Sequence, residues 1–539
     1  MKLRPGLSFE TVDTTPPQPN RTDVCGFVGA VARRRAAVPA AVLEDLASRG
    51  YAAGRLLGED AALRLDGLLQ LPVLCESFET FDQLFAWDSR PLLAKEPQAG
   101  DPQVVSALGA AVRAFFAEGG RRCYVVRSGN PAALLTPLQQ RFKPLRSQLR
   151  GINASFDASE NRITRLVVAS EPLPLDARDW RGLELLFGID DISFALLPDL
   201  ADACAPLPPV PPLPADPPPP RDEVFHERRP EAPALAAAIG RRLHAPRLDA
   251  ASRIAWASLI ERAAAVLDNG GRAFNRSDVQ LLASLPLSID DAELPTRAGW
   301  FGRLPFSASR DDVAPLARRV QLAYPWLRTP ESDDCPGGVE APEGSLAGLL
   351  ARSALQRGSF RTAARQPLRR YVSAVPAVDA DTASRERFLT ASDEFSLAER
   401  LCLLAPTPAG PALLSDVTLS MADAHRPACI RRLIGVVLRA AQTLGSTLAF
   451  EASNEALWRR VREQLSGLGR ALAGAGALAV EPGVASFIAR CGRDTMTQND
   501  IDAGRLIAEI ELLPARPLER IVVRLALRDG LAGGGRLAA

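Results

Sequence analysis

The chain is 539 residues long, 47% hydrophobic and 24% charged, and its 64 basic and 63 acidic side chains leave a net charge of +1. That length and apolar content exclude a disordered tail and suffice for more than one core, so two or three domains are expected. The balanced charge excludes a strong global field for nucleic acid or an anionic membrane surface.

The opening MKLRPGLSFE lacks the apolar run of a signal peptide, and no uninterrupted apolar stretch approaches the length that spans a bilayer. The expectation is a soluble chain made in the cytoplasm, with no direct membrane binding. Val105, Leu108, Val112, Phe115 and Phe116 share one face of a helix, which a Gly119-Gly120 turn and a strand to Arg127 follow. Pro206 to Pro220, PLPPVPPLPADPPPP, is suited to polyproline II and marks a linker between domains; a PxxP ligand is the alternative reading.

The last third is the most strongly patterned. Ile430, Leu433, Ile434, Val437, Ala441 and Leu444 form one stripe of a helix, with Arg431, Arg432 and Arg439 on the opposite side. Ser446 to Glu451 reads as a short buried strand. Ser453-Asn454 then caps a second helix carrying Leu457, Trp458, Val461, Leu465, Leu468 and Leu472. Gly474 to Leu478 stops that helix, Ser486 to Cys491 reads as a strand, and Leu506–Leu512 and Ile521–Leu527 alternate as an antiparallel pair. Pro514 and Pro517 suit the corner between them, since proline lacks the N–H that a ladder needs. The fold class is therefore mixed α/β.

Signatures of catalysis are missing. The sequence holds no GxxxxGK[ST] phosphate loop and no GxSxG elbow, and its only histidines are His226, His244 and His425. Asp190-Asp191, Asp290-Asp291 and Asp333-Asp334 are sequence neighbours whose side chains diverge, as in solvated turns. The eight cysteines are scattered without CxxC spacing, which fits a reducing compartment. His425 and Cys429 lack a third and fourth metal ligand at suitable spacing. No cofactor, metal site or catalytic residue is expected.

Three blocks together resemble contractile tail sheath proteins of myophage tails, tailocins and extracellular contractile injection systems. At the N-terminus, Pro5-Gly6-Leu7-Ser8-Phe9-Glu10 is similar to the family's opening, Arg21 to Gly29 to its next strand, and Phe78 to Phe85 to a short helix. Leu185 to Leu200 resembles a segment in which an Asp-Ile pair enters a buried strand ending in proline. The middle block is Tyr324-Pro325-Trp326-Leu327, then Pro342, Gly344, Ala347-Gly348, Ala351-Arg352 and Gln356-Arg357-Gly358. The C-terminal block adds Arg431-Arg432, Glu451, Trp458, Asp500, Asp502, Gly504, Arg505, Pro514, Pro517 and Glu519. Glu343 and Gln356 replace the family's serine and glutamate, and in Ser415 to Leu419 only the threonine and leucine survive.

This resemblance implies a structural subunit that polymerises around an inner tube and contracts on triggering, with itself, the tube protein, and baseplate and terminal cap proteins as partners, and no nucleic acid. It implies an N-terminal arm with the first core strands over 1–30, a sheath domain with an inserted outer portion over 31–204, a linker over 205–222, and a divergent insertion or outer domain over 223–304. A C-terminal core over 305–520 and an arm over 521–539 complete the division, the core being assembled from both chain ends. The arms would donate strands to neighbouring subunits through Leu7, Phe9, Glu10 and Val12 and through Ile521, Val523, Leu525 and Leu527. Trp326 and Trp458 are expected in cores, Gly504 in a turn, and Arg431-Arg432 on a solvated or inter-subunit face. Arginine nearly displaces lysine, which leaves only Lys2, Lys95 and Lys143; genomic base composition accounts for this, with a subset in bidentate pairs across subunits as the alternative. A specialised ring-forming paralogue and a soluble α/β enzyme are the competing functions.

Overall fold

The computed structural model describes residues 21–51, 61–93, 103–169, 171–174, 176–207, 243–268, 276–289, 314–385, 387–389, 394–448, 451, 453–479, 483–515, 521–527 and 536–537. Its centre is an eight-stranded sheet. The strands are β1 (Val24–Gly29), β2 (Pro72–Cys75), β3 (Cys123–Arg127), β4 (Ile192–Leu196), β5 (Gln280–Ser284), β6 (Val320–Tyr324), β7 (Cys402–Thr407) and β8 (Gly410–Leu413). They are ordered β8-β7-β6-β5-β4-β1-β3-β2.

The six inner strands from β7 to β3 run parallel, and both edges close with an antiparallel strand. Parallel strands covered on both faces read as continuous apolar runs rather than alternations. Thus VCGFVG in β1 is buried at all six positions. The edges are protected from further pairing. β2 begins with a proline, and β8 exchanges backbone hydrogen bonds with 365–368: Arg365 N–H donates to Leu413 O (2.6 Å) and Leu413 N–H to Gln366 O (3.0 Å).

Among the helices, α1 (Ala107–Glu118), α2 (Ala250–Asp268) and α3 (Glu343–Arg357) pack around this sheet, and the Ser106 hydroxyl caps α1 by accepting from Gly109 N–H at 3.1 Å. α1 and α3 cross with almost no separation. A Cβ on Gly344 would lie 2.4 Å from Ala111 O, and one on Gly348 would lie 2.3 Å from Phe115 O. Only glycine fits a helix face that meets another helix's backbone so closely.

A second core stands apart, built from α4 (Ala428–Leu448), α5 (Glu455–Gly474) and a four-stranded antiparallel sheet. Its strands are β9 (Phe487–Cys491), β10 (Leu506–Leu512), β11 (Ile521–Leu527) and β12 (Arg536–Leu537), in sequence order. β10 pairs with β11 at seven positions, from Leu506↔Leu527 to Leu512↔Ile521. Asn454 Oδ1 caps α5 by accepting from Leu457 N–H at 2.9 Å.

Three expectations are corrected. Ser446–Leu448 is helical, not a strand, because Leu448 is buried one turn beyond Leu444 and prolongs the same stripe. Residues 223–304 are not, as a whole, a divergent insertion or outer domain, since α2 and β5 lie within them and β5 hydrogen-bonds between β4 and β6 at the middle of the sheet. The unit expected over 305–520 divides near Ala428, because β6, β7 and β8 pair into the same sheet as the N-terminal strands. Most of the proline-rich stretch, 208–220, lies outside the described residues. No described helix is long and apolar enough to cross a membrane.

Candidate functional site

Helix α4 is where the two cores meet. One side carries Ile430, Leu433, Ile434, Val437 and Leu438 into the C-terminal core. The other side sets Arg431, Arg432 and Arg439 against the sheet body, where all three are buried. This overturns the solvated or inter-subunit face expected for Arg431 and Arg432. Helical period locates a stripe but not what faces it, and here the facing surface supplies carboxylates and carbonyls.

Arg432 forks onto Asp416, with Nη1–Oδ1 at 3.0 Å and Nη2–Oδ2 at 2.5 Å, and its Nε donates to Ser359 O at 2.8 Å. Arg439 Nη1 donates to Arg21 O (2.9 Å) and Ser193 Oγ (2.9 Å), with its Nε 3.9 Å from Asp278. Asp278 is itself gripped by Arg276 through Nε (2.9 Å) and Nη2 (3.0 Å), and Arg276 also donates to Leu186 O and Ile189 O. Arg431 donates to Ser277 O. A Cβ on Gly435 would lie 2.8 Å from Asp278 O, so helix and loop touch through backbone.

Burial opposes charge throughout this seam, yet the Arg432 fork holds Asp416 below the usual carboxylate range and Arg276 does the same for Asp278. Such bidentate, charge-assisted bonds fix orientation as well as proximity. Burial lowers Arg439, and Arg431 is pushed well down by burial and by neighbouring Arg319 and Arg318. The seam can thus position one core against the other.

A second knot ties α1 to α3. Arg352 Nη1 donates to Glu118 O (2.6 Å) and Oε2 (3.2 Å), and Glu118 also accepts from the backbone N–H groups of Arg369 and Arg370 at 2.9 Å. Burial pushes the Glu118 carboxyl up against these donors. Arg370 continues the chain of pairs to Glu331 (2.9 Å) and Glu340 (3.3 Å), and Arg113 joins it at Glu340.

The remaining expected residues are dispersed. Gly348 forms the α1–α3 crossing, and Gly358 ends α3 with φ of +89°. Trp326 is buried and donates Nε1–H to Leu285 O at 3.0 Å, and Trp458 is buried and donates to Ser453 Oγ at 3.0 Å. Glu451 is exposed and pairs with Arg460. Asp502 is exposed and accepts from Gln498 at 2.8 Å, while Gly504 turns into β10 with φ of +66°. Ile521, Val523, Leu525 and Leu527 lie on β11, whose partner is β10 of the same chain. Leu7, Phe9, Glu10 and Val12 lie outside the described residues. Sequence reading missed Asp416, Asp278 and Glu118; of these only Asp416 carried a signal, the departure from the family pattern at Ser415 to Leu419. Among the described residues no cluster of three or more His, Cys, Asp or Glu side chains is arranged to hold a metal ion.

No family model matches the chain, and no curated protein is similar to it in sequence. Solved structures do match, over nearly its whole length. The chain is similar to one in the cryo-EM structure of the anti-feeding prophage baseplate in the contracted state, with a TM-score of 0.54 at 18% identity, covering 96% of this chain and 97% of that one. It is also similar to chains of the six-fold symmetrised baseplate (TM-score 0.51, 16% identity, 96% and 97%) and of the contracted helical sheath (0.50, 16%, 96% and 98%) of the same prophage. The fold is thus that of a chain of a contractile particle. In particular, it is the fold found in the baseplate and helical sheath structures of the anti-feeding prophage.

Proposed function

We propose that this chain is a structural subunit of a contractile sheath, which polymerises around an inner tube and contracts on triggering, and that it is not an enzyme. The observation that carries this reading is end-to-end coverage: two cores and the polypeptide between them align together with a chain of the contracted helical sheath at a TM-score of 0.50. A shared domain alone would leave much of one chain uncovered.

The C-terminal sheet supports exchange of strands between subunits. Its four strands form an open sheet, and the outer edge of β9 has no strand partner among the described residues. An open edge is a row of unsatisfied donors and acceptors that a neighbour's extended segment satisfies. The seven-position register of β11 on β10 is equally available to the same segment of another copy, as in domain swapping. Leu7 to Val12 is the segment proposed for the β9 edge. Subunits meshed in this way can repack from an extended to a contracted lattice without nucleotide, the driving force being surface newly buried.

The second reading, a specialised ring close to the baseplate, is favoured by the two baseplate structures among the matches. Electron microscopy of the chain expressed alone and with its tube protein separates them. Hollow tubes of stacked rings are expected for the main sheath. Single rings seen only with other particle components identify the baseplate paralogue, and monodisperse particles under every condition overturn both.

A further inference from the structure

Glu343 opens helix α3 in a position that suits a carboxylate poorly. It is 3% exposed, its Oε2 has no hydrogen-bond partner, and its backbone N–H donates to Ser284 Oγ at 3.1 Å, at the carboxyl end of β5. The next residue, Gly344, is the one whose Cβ would strike Ala111 O, so α3 has no room to move towards α1 and admit water. Among the described residues the charged group acting on Glu343 is another acid, Asp199, just beyond β4. Asp199 turns inward to accept from Ala30 N–H (2.6 Å) and Gln148 Nε2 (2.7 Å), while the nearby Asp202 is paired with Arg90 at 2.8 Å. Glu340, on the same approach to α3, is already paired with Arg113 and Arg370. Among the described residues Glu343 therefore faces serine, backbone and a second carboxyl, and no cation.

We propose that the Glu343 carboxyl is a proton-operated latch, which seats the start of α3 on the carboxyl ends of β4 and β5 while neutral and releases that seat when ionised. A buried carboxylate with one oxygen unpartnered and no cation among the described residues is costly to retain, and its own backbone N–H offsets little of the burial, so the group keeps its proton or the helix lifts to hydrate it. The electrostatics agree: burial pushes Glu343 up to about 8, and burial pushes Asp199 up to about 6. Because the folded value of Glu343 exceeds that of the opened state, its stabilisation is complete below the ordinary glutamate range and is lost as pH rises towards about 8.

Hydrogen exchange of the full chain, followed by mass spectrometry across about pH 5 to 9 and corrected for the intrinsic rate, tests this. The opening constant of peptides from Glu343 to Leu350 is expected to rise by up to about tenfold per pH unit and to level off near pH 8. Peptides from α5 should lack that slope. Glu343→Gln, which keeps size and polarity without the titration, should abolish it, and Glu343→Ser provides a second variant should the first fail to fold. A flat wild-type profile overturns the latch whatever the variants do, and so does an unchanged slope in a folded variant.

Discussion

Arg432 and Asp416 show how far a single pair governs the joint between the cores. Both are buried, and the fork uses two parallel bonds. Breaking such a pair from one side strands a charge and typically costs about 3–5 kcal/mol. Asp416→Asn is therefore expected to lower the denaturant midpoint markedly, whereas Arg432→Lys keeps the charge, loses the fork and should fall between wild type and the asparagine variant. Equilibrium unfolding by far-ultraviolet circular dichroism measures both. The same pair sets an acid limit: Asp416 and Asp278 are held below their ordinary value, so their stabilisation is present above the usual carboxylate range and disappears as pH falls below it. Little of this was legible in the sequence. An arginine-rich chain hides its structural arginines among many compositional ones, and Asp416 lies outside the helix that carries Arg432, so no helical spacing links the two.

At the scale of elements, legibility followed period. The α1 helix, α5 and the β10–β11 pair each carry a repeat of 3.6 or 2 residues, and each formed as expected, as did the glycine turn and the apolar run of β3 that follow α1. Ser446–Leu448 was misread because a short run of β-formers and small residues is ambiguous until its neighbours are known, and here the buried Leu448 decided for helix. The glycines of α3 carry a different message. In sequence, Gly344 and Gly348 are helix-weakening residues, but in the fold they permit two helices to touch backbone to backbone. Gly348→Ala gains helix propensity and still should destabilise by about 1–3 kcal/mol, since the new methyl has no volume to enter. A thermal melt that rises instead would show that the α1–α3 contact relaxes easily.

For the whole molecule, the division into units was the part least visible in advance. A parallel sheet places strands beside one another that are separated by long crossovers, so β7 and β8 belong with β1 although nearly four hundred residues intervene. The boundary near Ala428 separates the sheet body from a C-terminal core with its own helices and sheet. Truncation after Ala515 removes β11 and β12, which exposes the edge of β10 and leaves the sheet body intact. The truncated chain is expected to keep its body's cooperative unfolding but to lose tubes in negative stain. Tubes of ordinary length from that variant would sink the proposal that β11 links subunits.

The distribution of sulfur gives the molecule a built-in clock. All eight cysteines are buried thiols. Six lie in or beside the sheet body, while Cys429 and Cys491 lie in the C-terminal core. Each is screened from reagents until its surroundings open, and burial pushes Cys491 up to about 11, so that thiol is also chemically quiet in the closed state. Alkylation followed residue by residue would thus date the opening of each half separately. If the two halves are coupled only through the arginine seam, Asp416→Asn should advance Cys429 and Cys491 before the other six. If all eight keep a common time course, the halves open as one body.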